Sequence, residues 1–251
     1  MKKTVEISII MPNYNSYEYL ERTIQSVIKQ SFANWELIII DDKSNLETQK
    51  ILRKYKKNKK IKVFFLKSNK GDGYCRIFGI KKSSSNLIAF LDSDDIWKKN
   101  KLKLQYNFMK KNDYDFTYTS YEAIKEDGKS IKIIFPPKKF SYKTFINNTS
   151  IATSSIIVRK IFLRNLKLSN SPNFEDYYLK CQILKKIKYA YCLQKNLLRY
   201  RLRNNSLSKS KLRNVFWLWQ INRKFNKLGL YASLISLIMV SLKSLKKYGL
   251  K

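Results

Sequence analysis

Four consecutive residues, Asp92-Ser93-Asp94-Asp95, carry the strongest chemical signal in this 251-residue chain. The chain holds 52 Lys and Arg but only 18 Asp and Glu, so a cluster of three carboxylates is unexpected. Carboxylates this close repel one another unless a positive charge lies between them. A hard divalent cation, Mn²⁺ or Mg²⁺, is the usual partner because it prefers oxygen ligands. The cluster therefore predicts a metal–phosphate site, and capping of a helix near Trp97 is the simpler alternative.

The chain contains no histidine. This excludes His-ligated zinc, Ser-His-Asp triads and Cys-His pairs, so acid–base catalysis would fall mainly to carboxylates. Cys75, Cys181 and Cys192 are odd in number and widely spaced, which indicates a reducing cytosol rather than a disulfide framework or a metal site. The N-terminus has no long apolar segment and no small-residue cleavage site, so we expect no signal peptide and a cytoplasmic protein.

The elements that would position these acids alternate between strand and helix. Apolar runs predict strands at 7–11 (stopped by Pro12), 35–40, 61–66 and 87–91. Helical spacing predicts helices near 17–28, 46–55 and 74–82. Apolar strands separated by helices indicate a parallel sheet covered on both faces, and ligands bind beyond the carboxyl ends of its strands. The segments that follow three of these strands should therefore meet at one edge: Pro12–Asn15, Asp41-Asp42 and Asp92–Asp95.

The second half of the chain is less regular. We expect a helix near 102–109, strands at 116–121 and 130–135, a strand-like run at 151–158, and a helix that begins at Glu175-Asp176. Acids at a helix start are ordinarily partners of the helix dipole. Asp41-Asp42 has a similar simple alternative as a turn or cap. Arg76 is either a phosphate ligand or a solvated helix residue.

Five segments in order resemble glycosyltransferase family 2. They are 8–15, 36–44, 69–71 with Arg76, 90–95 and Glu175-Asp176. The resemblance implies an α/β fold of the GT-A type, Rossmann-like, with a mostly parallel central sheet and helices on both faces. It also implies inverting transfer of a sugar from a nucleotide-diphosphosugar to an acceptor hydroxyl.

The resemblance further implies roles for individual residues. Contacts with the nucleotide-sugar are implied for Pro12, Tyr14, Asn15, Asp42, Arg76, Asp92, Ser93, Glu175 and Arg201. Asp94, together with Asp92, matches the ligands of the Mn²⁺ or Mg²⁺ cofactor, and Asp176 matches the catalytic base. The segment Tyr200-Arg201, followed by Asn204, Asn205 and Ser206, resembles the part that closes over the donor.

The sequence departs from the family pattern at three points. Ile77 follows Arg76 where the family commonly has asparagine. Lys43 stands at a loop position that is usually glycine. Arg203 lies near the place of a histidine in the closing segment, where it could alter contacts with phosphate.

The positive charge is unevenly distributed. The formal net charge is +34, Asp176 is the last acid, and eighteen Lys and Arg follow it. Nucleic acid, an anionic membrane surface or a phosphorylated substrate would each suit this charge, and AT-rich coding sequence is an alternative origin. The segment 212–242 is apolar and aromatic, but its uncharged run 228–242 is shorter than the about 20 residues that span a bilayer.

We therefore expect a GT-A catalytic domain over 1–205 and a basic amphipathic helical tail over 206–251. The domain would comprise a nucleotide-sugar half, 1–110, and an acceptor-side half, 111–205. The tail either lies on the inner face of the cytoplasmic membrane or packs on the domain. In the membrane arrangement, Lys243, Lys246 and Lys247 would face the anionic lipid phosphates.

The leading hypothesis is a bacterial, metal-dependent hexosyl- or N-acetylhexosaminyltransferase in surface polysaccharide or lipid-linked glycan synthesis. It would use a UDP-sugar donor and a saccharide or lipid-linked saccharide acceptor, with no nucleic-acid partner. The alternative is a basic nucleic-acid-binding module whose acids are structural, motivated by the Lys-rich run 54–60. A nucleotidyltransferase would need a Gly-rich triphosphate loop after the first strand, which Pro12–Asn15 is not.

Overall fold

Four parallel strands form the first half of the central sheet in a computed structural model that describes residues 4–169, 171, 174–203 and 211–248. They are β1 Ile7–Asn13, β2 Trp35–Asp41, β3 Ile61–Phe65 and β4 Leu87–Phe90, in the order β3-β2-β1-β4. The helices between them are α1 Tyr17–Ile28, α2 Leu46–Tyr55 and α3 Asp72–Lys82. All seven predicted elements are present.

Alternating residues of these strands supply two cores, one on each face of the sheet. Ile10 and Ile38 point into one buried cluster, and their neighbours Ile9 and Leu37 point into the other. All four side chains are fully buried, which explains why the strands read as continuous apolar runs rather than as alternating patterns.

The prediction that Pro12 stops β1 is wrong. The strand continues to Asn13, and Pro12 pairs with Ile40 of β2. On its other side, β1 pairs with β4 only as far as Ile10. Because proline has no N–H, it cannot donate a hydrogen bond to a neighbouring strand. No β4 residue pairs with β1 at Pro12, so no hydrogen bond with β4 is lost there and the strand can continue.

The second half of the chain widens the sheet. Its elements are β5 Ile96–Trp97, α4 Lys101–Lys111, β6 Phe116–Ile124, β7 Ser130–Ile134, β8 Lys139–Phe140, α5 Tyr142–Phe145, β9 Ile157–Arg159, α6 Glu175–Leu184 and β10 Ala190–Arg201. The sheet continues from β4 in the order β9-β6-β10-β5, with β7 beside β6 and β8 beside β10. Here β6 and β10 are parallel, and the other pairings are antiparallel.

Two predictions in this half need correction, and the strands β5, β8 and β10 were not predicted. The run 151–158 is not a single strand, because a 3₁₀ turn at Thr153–Ser155 precedes the short strand β9. No helix begins at Trp97, which lies in β5, and α4 starts at Lys101. Strand β10 was missed because register shifts at Asn196 interrupt its alternating pattern.

The C-terminal segment packs on the domain. It comprises α7 Lys211–Gln220, a π-helical turn Ile221–Phe225 and α8 Leu230–Tyr248. Leu218, Ile221 and Val240 enter the same core cluster as α6. Across the described part of the chain, no helix is both long enough and apolar enough to cross a bilayer.

The predicted orientation of the tail lysines is wrong for two of the three. Lys243 donates a hydrogen bond to the carbonyl of Asn147 at 3.0 Å, and the Lys247 ammonium lies 5.5 Å from the centre of the Tyr121 ring. Both side chains therefore face the domain rather than lipid phosphates. The division of the chain at residue 205 stays a prediction.

Candidate active site

The acid cluster forms a tight turn immediately after β4. The amide of Asp95 donates to the carbonyl of Asp92 at 3.2 Å, and the amide of Asp92 donates to Ser154 Oγ at 2.9 Å. Helix α4 begins several residues later, behind Asn100. The capping alternative for the cluster is therefore wrong, and its carboxylates are held beyond the end of a buried strand.

The end of β10 secures this turn from the other side. The Arg201 amide donates to Asp95 Oδ1 at 2.8 Å, and Arg201 Nε donates to the Asp94 carbonyl at 2.9 Å. Arg201 Nη1 donates to the carbonyls of Lys125 and Glu126 at 3.1 and 2.6 Å. The Arg201 guanidinium thus donates its hydrogen bonds to backbone carbonyls. The predicted contact of Arg201 with a nucleotide stays a prediction.

Arg203 is the cation that faces the carboxylate of Asp94, with Nη1 3.9 Å from Oδ2. Arg203 stands near the position where the family often has a histidine. The structure places this difference from the family pattern beside the acid cluster. The remainder of the proposed closing segment, Asn204, Asn205 and Ser206, lies outside the described residues.

Arg76 projects from α3 into the same region and is only 4% exposed. Its Nη2 lies 2.8 Å from Asp92 Oδ1 and 3.6 Å from Asp72 Oδ2. Burial alone would lower the pKa of Arg76, but Asp92, Asp72 and Asp176 raise it above its ordinary value. The solvated alternative is therefore wrong, and Arg76 is a permanent buried cation among carboxylates.

Asp42 follows β2 and organises the loop before α3. Its two oxygens accept hydrogen bonds from the amides of Lys70 and Gly71, each at 2.7 Å. Helix α2 is capped instead by Asn45, whose side chain accepts from the Thr48 amide at 3.0 Å. The cap alternative for Asp41-Asp42 is therefore wrong. The turn alternative holds for Asp41, whose Oδ2 accepts a hydrogen bond from the Ser44 amide at 3.2 Å.

The loop after β1 lies against the loop after β2. Asn15 Oδ1 accepts from the Asn45 amide at 2.7 Å, and the Asn15 amide donates to Ser44 Oγ at 3.0 Å. Pro12 is buried at the end of the strand, whereas the Tyr14 side chain is 48% exposed. The Tyr14 ring thus offers a surface on which a nucleotide base could stack.

Asp176 lies in the first turn of α6. Its Oδ2 accepts hydrogen bonds from Lys180 Nζ at 2.7 Å and Thr153 Oγ1 at 3.0 Å. Burial alone would raise the pKa of Asp176, but Lys180, Arg76 and Thr153 lower it to about 2. The side chain is still 41% exposed. Asp176 is therefore an ionised, firmly held and accessible carboxylate.

Glu175, its neighbour, has a different environment. Glu175 Oε1 accepts from the amide of Ser169 at 2.9 Å, from Ser169 Oγ at 2.6 Å and from the amide of Ser171 at 3.2 Å. These bonds hold Ser169 and Ser171 against the start of α6. The Glu175 side chain also lines a small cavity with Gly73 and Arg76.

The carboxylates predicted to meet do lie close together. Strands β2 and β4 both pair in parallel with β1, so the residues that follow them leave the sheet at the same edge. Neighbouring residues of one 3₁₀ turn bind the other two carboxylate residues: Ser154 Oγ accepts from the Asp92 amide at 2.9 Å, and Thr153 Oγ1 donates to Asp176 Oδ2 at 3.0 Å. The ends of β2 and β4 and the start of α6 therefore share one edge of the sheet.

The acid turn fits a hard divalent cation. Burial raises the pKa of Asp94 to about 6, the neighbouring Asp92 adds to this rise, and Arg203 opposes it. Among the residues in the described ranges, no group of three or more metal-ligating side chains occurs. Asp92 and Asp94 present carboxylate oxygens, the ligand type that suits Mg²⁺ or Mn²⁺, so they are the residues that could hold such a cation.

Sequence reasoning missed several residues that shape this site. Lys180 lies one helical turn after Asp176, so the i,i+4 pairing rule could have found it. Asp72 and Arg76 are also four residues apart on α3, so the same rule could have found Asp72. Thr153 and Ser154 belong to the 3₁₀ turn that was mistaken for a strand, and no local signal marked them.

Comparisons with known proteins bear on the family of the chain and on its fold. The profile described as Glycosyl transferase family 2 matches residues 8–166. The putative teichuronic acid biosynthesis glycosyltransferase TuaG of Bacillus subtilis is 34% identical over 88% of this chain and 89% of its own length. The UDP-Glc:alpha-D-GlcNAc-diphosphoundecaprenol beta-1,3-glucosyltransferase WfgD of Escherichia coli is 33% identical over 94% of both chains.

Among solved structures, Staphylococcus aureus TarS 1–349 in complex with UDP-GlcNAc superposes with a TM-score of 0.67 at 21% identity. The match covers 86% of this chain and 65% of that one, and it supports the fold alone. Since the family profile spans more than half of the chain and both relatives match over most of their length, the chain belongs to glycosyltransferase family 2 and is a glycosyltransferase with the GT-A fold.

Proposed function

We propose that this enzyme transfers a hexose or N-acetylhexosamine from a UDP-sugar to a hydroxyl of a lipid-linked or cell-surface saccharide in a bacterium, with inversion at the anomeric carbon. The observation that carries the proposal is the position of Asp176. It is an ionised carboxylate, anchored through Oδ2 and 41% exposed, at the edge of the sheet that holds the acid turn.

The names of the relatives support this choice of substrates. The name of WfgD specifies UDP-Glc as donor, an undecaprenol-diphosphate-linked GlcNAc as acceptor and a beta-1,3 bond. The name of TuaG refers to teichuronic acid biosynthesis. TarS, which shares the fold, was solved with UDP-GlcNAc. A UDP-activated sugar is named for WfgD and TarS, and a bacterial glycan is named for WfgD and TuaG.

Asp176 would act as the general base. As the acceptor hydroxyl attacks the anomeric carbon, its proton passes to a carboxylate oxygen of Asp176. The bond from that carbon to the diphosphate breaks on the opposite side, and a single displacement of this kind inverts the configuration. Lys180 and Arg76 would keep Asp176 ionised before the attack, because both lower its pKa.

Asp94 and Asp92 would hold Mn²⁺ or Mg²⁺ together with the donor diphosphate. When bound, the cation neutralises the negative charge that develops on the leaving group. Arg203, 3.9 Å from Asp94, would add positive charge to the same region. Tyr14 would stack on the nucleotide base, and Asp42 would fix the loop beside it through Lys70 and Gly71.

The test is a transfer assay with UDP-Glc, UDP-GlcNAc and UDP-Gal on a short lipid carrying a diphosphate-linked GlcNAc. We expect one donor to be used, a β-linked product by NMR, and loss of activity in EDTA that added Mn²⁺ or Mg²⁺ restores. Asp94→Asn should lower activity at least a hundredfold, whereas the exposed Asp127→Asn should retain it. An α-linked product, or full activity without a divalent cation, would refute the proposed chemistry.

A further inference from the structure

Helix α8 turns a face of mixed polarity toward the domain. Ser233 and Ser236 are fully buried there. Ser236 Oγ donates to the Ile146 carbonyl and accepts from Asn222 Nδ2 at 2.9 Å. Lys243 bonds to Asn147 on the same side, and Val240 adds an apolar contact. A surface helix ordinarily places its apolar stripe on the domain. Leu237 and Val240 do pack on the core, but α8 leaves most of its large apolar side chains exposed.

The opposite face of α8 exposes a stripe of large apolar side chains. Its members, which are between 37% and 78% exposed, are Tyr231, Leu234, Ile238, Leu242 and Leu245. They recur every three or four residues, so they form one continuous row about 20 Å long. A contiguous apolar surface of this size marks a site of interaction rather than a chance exposure.

Exposed positive charge lies next to the N-terminal end of this apolar stripe. Arg223, Lys224 and Lys227 are exposed just before α8, and the sequence contains no acid after Asp176. A second copy of the chain would bring the same cations to the contact, and the two would repel each other. An anionic lipid surface instead offers both an apolar interior and phosphate charges at the required positions.

Hydrogen bonds connect α8, which carries the stripe, to α6, which carries Asp176. Tyr177, the residue after Asp176, donates from its hydroxyl to Asn222 Oδ1 at 2.8 Å, and Asn222 bonds in turn to Ser236 of α8. All three side chains are buried. A surface bound by α8 would therefore be held in a fixed relation to α6.

We propose that α8 docks the enzyme on an anionic lipid bilayer, lying in the plane of the surface with its apolar stripe toward the acyl chains. Arg223, Lys224 and Lys227 then face the lipid phosphates. The proposed function enters only through the expectation that a lipid-linked acceptor lies in such a bilayer. Binding to vesicles needs neither donor nor acceptor, so the two proposals can fail separately.

The experiment is cosedimentation of the full chain with vesicles of phosphatidylcholine alone or mixed with phosphatidylglycerol. We expect binding to the anionic vesicles that weakens as salt is added. The variant Leu234→Asn/Ile238→Asn/Leu242→Asn should lower the partition coefficient about tenfold or more, because it removes three apolar side chains from the stripe that would enter the bilayer. Lys224→Gln/Lys227→Gln should lower it about tenfold on anionic vesicles only.

A matched control uses the exposed apolar residues of the hairpin edge, in the variant Ile131→Asn/Ile133→Asn/Phe135→Asn. It should bind vesicles as the unmodified chain does, and thermal melting of each variant verifies that it is folded. Absence of binding by the unmodified chain, or equal losses in the control and in the α8 variant, would overturn the proposal. A change of oligomeric mass in the α8 variant by light scattering would overturn it too, because the stripe would then be an interface between copies.

Discussion

Lys180 Nζ donates a 2.7 Å hydrogen bond to Asp176 Oδ2, one helical turn earlier on α6. Lys180 is itself only 3% exposed and also bonds to the Ile151 carbonyl and to Thr153. The carboxylate assigned as the base is thus held by a buried cation whose other hydrogen bonds fix its position. This pairing connects the start of α6 with the 3₁₀ turn beneath it.

Removal of that cation should move the pH dependence of the reaction. Lys180 lowers the pKa of Asp176, so Lys180→Met should raise it, and the base should become protonated at a higher pH. We expect the acidic limb of kcat against pH to shift upward by about one pH unit or more. The exposed Lys188→Met, on the chain just after the same helix, is the control and should leave the profile in place. An unshifted profile in Lys180→Met would show that Lys180 is structural only.

Most of the first half of the fold was predictable because β1, β2 and β4 are buried on both faces. Ile38 and Leu37 are both fully buried on opposite sides of β2, so residues 37–40 form an unbroken apolar run that is visible in the sequence. The acids that follow β2 and β4 could then be assigned to one edge from the topology of parallel sheets alone.

The second half could not be predicted in this way, because its strands depend on distant partners. Strand β10 contains bulges at Asn196 that break its alternation, and it pairs with β6, over 70 residues earlier in the chain. The residues that hold Asp176 and Asp92 from the 3₁₀ turn, Thr153 and Ser154, are ordinary hydroxyl residues in the sequence. Only tertiary contacts give them a role.

Stability should depend on pH through Glu36 in β2. Burial alone would raise its pKa, but hydrogen bonds from Lys62, Ser8 and Ser84 lower it from 4.5 to about 2. A carboxyl whose pKa is lower in the folded state stabilises the protein above its unfolded pKa, and this contribution disappears as the pH falls from about 4.5 toward 2. We expect Glu36→Gln to cost about 2 kcal/mol at pH 7, after allowance for solvent screening at Lys62.

Urea denaturation between pH 7 and pH 3 would measure this effect. The difference in the free energy of unfolding between the unmodified chain and Glu36→Gln should narrow as the solution is acidified. The exposed Glu47→Gln serves as the comparison and should change stability by less than about 0.5 kcal/mol at pH 7. If the difference in the free energy of unfolding between the unmodified chain and Glu36→Gln stays constant over this pH range, the pKa of Glu36 is not lowered by folding.

Lys43 adopts a left-handed backbone conformation, with φ of 62°. This is the position where the family commonly has glycine, and an L side chain there costs about 1 kcal/mol that glycine avoids. Lys43→Gly should therefore raise the free energy of unfolding by up to about 1 kcal/mol, measured by thermal or urea denaturation. The same change at Lys54, inside α2, should lower it by about 1 kcal/mol. Destabilisation by Lys43→Gly would mean that the Lys43 side chain makes a compensating contact.

The most direct measurement compares Asp176→Asn with the unmodified enzyme in donor binding and in transfer. Asparagine keeps the shape of the side chain but cannot accept the acceptor's proton. We expect donor affinity, measured by titration calorimetry with Mn²⁺ present, to change less than threefold, while kcat falls by about a thousandfold or more. Turnover within tenfold of the unmodified enzyme in that variant would contradict the assignment of Asp176 as the base.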